Sequence, residues 1–493
     1  MKYLPLLFLL FAGCFKVGPD YKAPENTVGN EWHEPEEEKE YTTSEPEIAW
    51  WKVFHDDLLE KYIETAALSN QEILRAEAAI CEARALREVA ASNLFPQISA
   101  DLSALKTYFS KNGPVFAITP GGGAGGGLPN INTGLPFSIQ IPQIQNLFNG
   151  LFDASWEIDL FGKTRRTVEL AEAHIGSAIE NRNAVLISTL AEIARNYLEL
   201  RSFQKRSELL QKNIQLLEES KTIVEMQFLV GTANRLDVER IVAALDSAKA
   251  SLPDTHAQIY RNIYALSILT GKEPEALVDE LIEAKPLPAA PDHVAIGLRS
   301  DLLRRRPDVR RAERQLAEAT AGVGIAVASF YPSFTLVGDA GLQSLQIKKL
   351  FQAASRTWAY GGDLNIPIFQ GGRLVGNLHA AEAECSMAGY QYQNTVLTAL
   401  QEAEGSLVSY SDSLSSANLM RKSASSTRDV ARLATDQYKA GLISLLGALQ
   451  SQRDSVLADL NLLDKDTSAL ITLVTLYKAL GGGWQCEEEP ILE

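Results

Sequence analysis

The six histidines, His33, His55, His174, His256, His293 and His379, form neither an HExxH motif nor a close pair, so they offer no metal or acid–base centre. No GxSxG segment supplies a nucleophile elbow. Gly121, Gly123 and Gly126 satisfy GxGxxG, but Leu128-Pro129-Asn130 follow, and without a helix start no dipole holds a pyrophosphate; the segment reads as a loop at a hairpin tip. Cys81, Cys385 and Cys486 lie far apart without CxxC spacing, which suits packed or exposed thiols rather than a disulfide or zinc framework. Arg304, Arg305, Arg306, Arg310, Arg311 and Arg314 make a basic cluster interleaved with Asp301, Asp308, Glu313 and Glu318. Pro307 fits the first turn of a helix, so these read as solvated arginines at a helix start. A formal net charge of −16 also disfavours phosphate backbones as partners. The expectation is a protein that is not an enzyme, has no metal or cofactor site and binds no nucleic acid.

One residue does suggest covalent chemistry. Lys2, the apolar run Leu6 to Phe11 and the small pair Ala12-Gly13 read as an export signal over 1–13, and Cys14 follows at once. This resembles a bacterial lipoprotein signal, in which the Cys is acylated and becomes the new N-terminus. An ordinary secretory signal with an incidental Cys gives the same export. Residues 14–54 then read as a lipidated strap: 31–47 contain eight Glu against one Lys. No later stretch is long and apolar enough for a spanning helix, so any membrane crossing has to be a closed β-barrel.

The elements that organise these residues are long. A helical pattern covers 55–95, and a tract from Lys163 to Val230 holds no Pro and one Gly. Within it Ile179, Asn183, Leu186, Leu190, Ile193, Tyr197 and Leu200 keep 4-3-4 spacing, and Val456, Leu460, Leu463, Thr467, Leu470, Val474 and Tyr477 repeat it later. Sustained 3.5-residue periodicity means coiled-coil packing, and each long tract, including Arg373 to Ala440, would extend about 100 Å. Gly231 and Gly441 break the tracts and Gly271 and Gly481 end the returning helices, both pairs offset by 210. Pro96 and Pro332 are offset by 236, which puts an insertion of about 28 residues between Pro96 and Phe161, around the glycine-rich segment 112–145. A fixed offset of this kind implies a duplicated unit.

Between the helices the period changes to two. Phe152, Ala154, Trp156, Ile158 and Leu160 alternate with Asp153, Ser155, Glu157 and Asp159; Trp358, Tyr360, Leu364, Ile366 and Ile368 alternate with Ala359, Asp363, Asn365 and Pro367. Weaker partners run from Ile98 to Ala104 and from Phe334 to Leu342. Two hairpins of roughly ten-residue strands have the length that crosses a tilted barrel wall. Two soluble sheets on a core would alternate in the same way. If the strands are membrane-spanning, four cannot close a barrel; two copies give eight, whose interior side chains fill, and three give twelve, the smallest plausible open lumen, with Asp153, Glu157 and Asp159 facing water inside it, although the solvated face of any strand would carry such carboxylates. The helix reversals at Gly231, with Asp237 behind it, and at Gly441 would cluster at the far mouth.

These segments are similar to the TolC-like outer-membrane efflux factors, in the lipoprotein subfamily that accompanies RND pumps. The resemblance rests on Cys14 with Val17-Gly18-Pro19-Asp20-Tyr21, on Trp50-Trp51, on Trp156-Glu157-Ile158-Asp159-Leu160-Phe161-Gly162, on Leu303-Arg304-Arg305-Arg306-Pro307-Asp308-Val309, on Pro367-Ile368-Phe369-Gln370-Gly371-Gly372 and on Tyr477-Lys478-Ala479-Leu480-Gly481-Gly482-Gly483-Trp484, in that order. It implies a mixed α and β membrane protein whose four strands per chain join a 12-stranded trimeric barrel continuous with a periplasmic α-helical barrel. The implied partners are two further copies, a periplasmic adaptor, an inner-membrane RND transporter and outer-membrane lipid. Acidic residues are often found near the second helical turn in that family; Ile443 and Gln450 stand there in this chain, so an apolar constriction by Leu442, Ile443 or Leu446 is expected instead. The corresponding segments are 1–13 signal, 14–54 strap, 55–95 helix, 96–161 hairpin, 162–271 helical hairpin, 272–298 equatorial linker, 299–331 helix, 332–370 hairpin, 371–483 helical hairpin and 484–493 tail. A type I secretion conduit shares the tube, and a pore-less lipid-anchored coiled-coil scaffold shares the heptads and the anchor.

Overall fold

The computed structural model describes residues 15–24, 28–29, 32–33, 41–42, 48–110, 143–291 and 294–483. Cys14, most of the glycine-rich segment, Cys486 and the tail 484–493 lie outside them.

Helix starts and stops follow local hydrogen-bond chemistry. The carboxylate of Asp56 accepts from the backbone N–H groups of Leu58 and Leu59 at 3.0 and 3.2 Å and starts α1 (Asp57–Ser69). The helix expected over 55–95 is in fact two. Asn70 takes an extended conformation, ends α1, and caps α2 (Gln71–Ser92) by accepting from Glu72 and Ile73. An asparagine side chain competes with the backbone for its own hydrogen bonds, and here it wins. The long tracts form as expected: α3 (Lys163–Leu229) turns into α4 (Arg235–Leu269), and α6 (Arg373–Lys439) turns into α7 (Leu445–Ala479), with α5 (Pro307–Ala328) before the second strand pair. The duplication is visible in the backbone, since Gly231, Gly271, Gly441 and Gly481 have φ of 77°, 72°, 75° and 74°.

The chain divides into two compact units. The first takes residues up to 21, 86–171 and 319–383. It holds one antiparallel sheet in the order β2 (Gln97–Tyr108), β3 (Ile144–Ile158), β5 (Ser333–Ser344), β6 (Arg356–Asn365). The β3–β5 pairing joins the two duplicated halves. Strand β6 stops at Asn365 rather than Ile368, because Pro367 has no N–H to donate to a ladder. Among the described residues β2 and β6 have no second strand neighbour, so both edges are open.

The second unit takes 22–85, 172–318 and 384–493. Its core is built from the heptad positions: Asn183, Leu186, Leu190, Ile193, Tyr197 and Leu200 of α3 and Leu463, Thr467, Leu470, Val474 and Tyr477 of α7 are all buried, although Ile179 is not. Trp50 stacks on Tyr477 at 5.5 Å. The segment β1 (Tyr41–Thr42) pairs in parallel with β4 (Val294–Ala295). The described residues of the strap are therefore divided, 15–21 belonging to the sheet unit and 22–24, 28–29, 32–33, 41–42 and 48–54 to the helical one.

Candidate functional site

Register decides what each face of the sheet presents. On one face Ile98, Ala154, Gly338 and Tyr360 share a row, and Ala100, Phe152, Ala340 and Trp358 share the next. Leu102, Phe152, Trp358, Tyr360 and Leu364 on this face are largely exposed in the single chain. The other face carries Asp101, Asp153, Glu157, Asp339 and Asp363, and the strands bring no Lys or Arg to that face among the described residues. Asp153 stands opposite Ser99 on one side and Asp339 on the other. Like charges directly opposed are destabilising unless water screens them, so this face belongs in water and the apolar face in lipid.

Asp159 does not belong with them. It lies past the end of β3, and its Oδ2 accepts from the backbone N–H of Arg165 at 2.9 Å and from its Nε at 3.2 Å, with the carboxylate side chain 9% exposed. A carboxylate at the first turn of α3 suits the helix dipole. Asp159 therefore fixes the strand-to-helix turn and does not face the lumen as expected, because the alternation ends with the strand at Ile158.

The same turn holds the strap. Arg166 is fully buried, and its guanidinium donates to the carbonyls of Val17 and Gly18 at 3.1 and 3.0 Å and to Glu169 at 2.8 Å, and pairs with Asp20 at 3.0 Å. The hydrogen bond from Arg166, helped by Lys16, holds the Asp20 carboxyl below the usual range. The Val17 N–H donates to the Phe161 carbonyl. Residues 16–20 are thus bound beside the end of β3. Apart from Glu169, nothing local in the sequence marks Arg166, since the strap carbonyls it binds lie 148 and 149 residues away.

The helix reversals are asymmetric. At the first, Asn234 and Asp237 form a reciprocal capping box, so Asp237 closes the turn through the Asn234 backbone. At the second, Ser444 caps alone, with Gly447 where Asp237 stands in the first half. Leu442 is 74% exposed and Leu446 39%, while Ile443 is half-buried. Leu445 and Leu449 instead pack on the cluster of Ile214, Leu217, Val224, Ile241 and Leu245. The Tyr438 hydroxyl donates to Gln227 Oε1 at 2.8 Å and ties α6 to α3 just before their glycines.

The arginine cluster requires a correction. Arg306 is buried rather than solvated: it forms a two-pronged pair with Asp308 at 3.0 and 2.7 Å, reaches Glu402 at 2.6 Å, and donates to the Ala479 carbonyl at the end of α7. Burial would lower its pKa, but the two carboxylates hold it above its ordinary value. Burial would likewise raise Asp308, yet Arg306 and the Val309 N–H keep it low. Arg310 meets the buried Glu180 at 2.7 Å, where desolvation outweighs the pair and raises the Glu180 pKa. These are structural ties between helices. Neither Cys81 nor Cys385 forms a disulfide among the described residues.

Known proteins share this arrangement. The chain is 29% identical over 490 residues to the antibiotic efflux pump outer membrane protein ArpC of Pseudomonas putida, covering 98% of this chain and 95% of ArpC. Against the outer-membrane channel OprN it is 29% identical with a TM-score of 0.84, over 96% of this chain and all of OprN. The Campylobacter jejuni CmeC outer membrane channel shares the fold at 23% identity and a TM-score of 0.82, over 95% of each chain. The family model described as "Outer membrane efflux protein" matches residues 62–272 and 298–482. A lipid- and water-facing sheet, two long helical hairpins and this match place the chain in the outer membrane efflux protein family, whose members are transport conduits rather than enzymes.

Proposed function

We propose that three copies of this chain form the passive exit duct of a tripartite efflux system, receiving small toxic compounds from a periplasmic adaptor and a proton-driven RND transporter. The observation that carries this reading is the two-faced sheet with open edges at β2 and β6: one chain supplies a third of a wall that lipid will tolerate only when closed. The carboxylates Asp153 and Glu157 line the resulting lumen. In the second turn, Leu442, Ile443 and Leu446 narrow the far mouth, and the turns at Gly231 with Asp237 and at Gly441 form its rim. Cys14 carries the lipid. The docking of residues 16–20 beside the strand–helix junction supports this, because it holds the chain two residues after Cys14 next to the foot of the lipid-facing sheet.

Reconstitution of the purified, acylated protein into planar bilayers tests the duct, with heat-modifiable migration on gels reporting the trimer. A monomer without conductance refutes it. Within a conducting trimer, Ile443→Ser and Leu446→Ser raise single-channel conductance if those side chains form the constriction; unchanged conductance removes them. Mass spectrometry of the mature N-terminus, with Cys14→Ser as reference, decides the lipid.

A further inference from the structure

Two cations interrupt the lipid face. Lys106 and Arg356 have the same strand parity as Ile98, Leu102, Phe152, Leu342, Trp358 and Tyr360, and the register puts them on that apolar face: Lys106 opposite Asn146, Arg356 opposite Leu342. Both are exposed, and the strands bring no carboxylate to this face among the described residues. They also occupy the two edge strands, Lys106 on β2 and Arg356 on β6.

Closing the barrel brings them together, an inference that rests on the three-copy duct proposed above. A row starting at Gln97 crosses Ser155 and Val337 and reaches Gly361. If strand ends are flush at the seam, Asn365 meets the next copy's Gln97, and the row has advanced four residues over four strands, about 13 Å against about 19 Å, a tilt of roughly 35°. Lys106 and Arg356 each stand nine residues from those ends, so they face each other across the seam. An advance of six, a tilt of about 45°, leaves them diagonal neighbours; odd advances would turn the apolar face inward. Nine residues at such a tilt rise about 23 Å, close to the height of the apolar band of an outer-membrane barrel. The pair therefore lies at the outer boundary of that band, beside Tyr108 and the stacked rings of Trp358 and Tyr360.

We propose that each seam between copies is a binding site for the phosphate of an outer-leaflet lipid headgroup, held between Lys106 of one copy and Arg356 of the next, three sites per trimer. Two opposed cations on a face with no acid repel each other unless an anion lies between them, and guanidinium with ammonium is a phosphate-binding pair. The surrounding Leu102 and Leu342 suit acyl chains and not a free ion, which fixes the source as lipid.

The test is native mass spectrometry of the full-length acylated trimer incubated with lipid A, with dephosphorylated lipid A, and with lipid A plus millimolar inorganic phosphate. Up to three lipid A molecules per trimer are expected, at least tenfold weaker retention of the dephosphorylated form, and no competition by phosphate. In Lys106→Gln/Arg356→Gln, retention of lipid A falls at least tenfold. Equal retention of the dephosphorylated lipid, displacement by inorganic phosphate, or undiminished binding by the double variant overturns the site. The comparison of lipids on the unaltered trimer decides the matter even if the variant fails to assemble. A gel run in parallel separates the two readings, because an unaltered protein that migrates only as monomer counts against the duct, whereas a trimer without lipid counts against the site alone.

Discussion

Gly18 and Gly231 have nearly the same backbone, φ 84° and 77°, but opposite surroundings. A Cβ on Gly231 would meet nothing within 4 Å, whereas one on Gly18 would sit 2.6 Å from the Cα of Gly324. Gly324 cannot withdraw easily, since it lies in α5 against the buried Arg166 side chain. Gly18→Ala therefore costs about 1–2 kcal/mol for the left-handed backbone and about 1–3 kcal/mol for the overlap. The sum, about 2–5 kcal/mol, falls on the docking of the strap and raises its open population by roughly 30-fold to several thousand-fold. Limited trypsin digestion of the native trimer reads this directly as the rate of cleavage at Lys16 and Lys22, because cleavage tracks the open fraction when reclosing is fast. Gly231→Ala bears only the backbone cost, in the other unit, and leaves strap cleavage unchanged. If Gly18→Ala is cut no faster than the unaltered protein, the strap is not held by this contact and the role given to Arg166 fails with it.

Removing lumen carboxylates by Asp153→Asn, Glu157→Gln and Asp339→Asn together shifts the reversal potential in a salt gradient and lowers cation-over-anion permeability at least twofold; an unchanged potential places those residues outside the pore. Arg306→Met removes the guanidinium from Asp308, which keeps only backbone donors, and from Glu402 and the Ala479 carbonyl, and lowers trimer stability by about 3–5 kcal/mol, read as the heating temperature at which the trimer band dissociates. Because the folded pKa of Asp308 is below its unfolded value, the share of that stabilisation that comes from Asp308 is present above about pH 4 and is lost as pH falls through the folded value, so the gap between variant and parent narrows in acid, while the bond to the Ala479 carbonyl remains. Tyr438→Phe deletes the donor to Gln227, a bond worth about 0.5–1.5 kcal/mol, and raises open probability by up to about tenfold if the tie restrains the mouth.

The helices were legible because their signals are local. A Pro-free tract ended by glycine predicts Lys163–Val230 and Arg373–Ala440, and the structure ends them at Leu229 and Lys439. Strand faces were legible for the same reason, as alternation is a property of neighbours. What failed was pairing across long separations. Arg306 is written among five other arginines, and only the approach of Glu402 and Ala479, 96 and 173 residues away, turns it from a surface cation into an interior one. Asp159 continues the alternation of Asp153 and Glu157, but Arg165 binds it after the strand has ended. Asn70 is a strong capping residue, but the apolar pattern on either side of it is continuous and conceals the break it makes between α1 and α2.

The duplication shows which instructions the two halves kept and which they did not. The glycines that reverse the chain stand 210 residues apart with the same φ, so the backbone path was retained. The side chains behind them diverged at the same offset: Ile214, Val224, Ile241 and Leu245, all buried in the first hairpin, correspond to Ala424, Ala434, Ser451 and Ser455 in the second. Each aliphatic side chain contributes about 1.5–3 kcal/mol when buried, so the far half of α3–α4 supplies the buried residues of the apolar cluster, on which Leu445 and Leu449 of α7 pack, while α6 meets its neighbours with alanines. The capping follows the same pattern, a reciprocal box in the first turn and a lone serine in the second. Two hairpins of equal length and equal path are therefore held with unequal strength, and the more weakly held one carries the exposed Leu442 and Leu446.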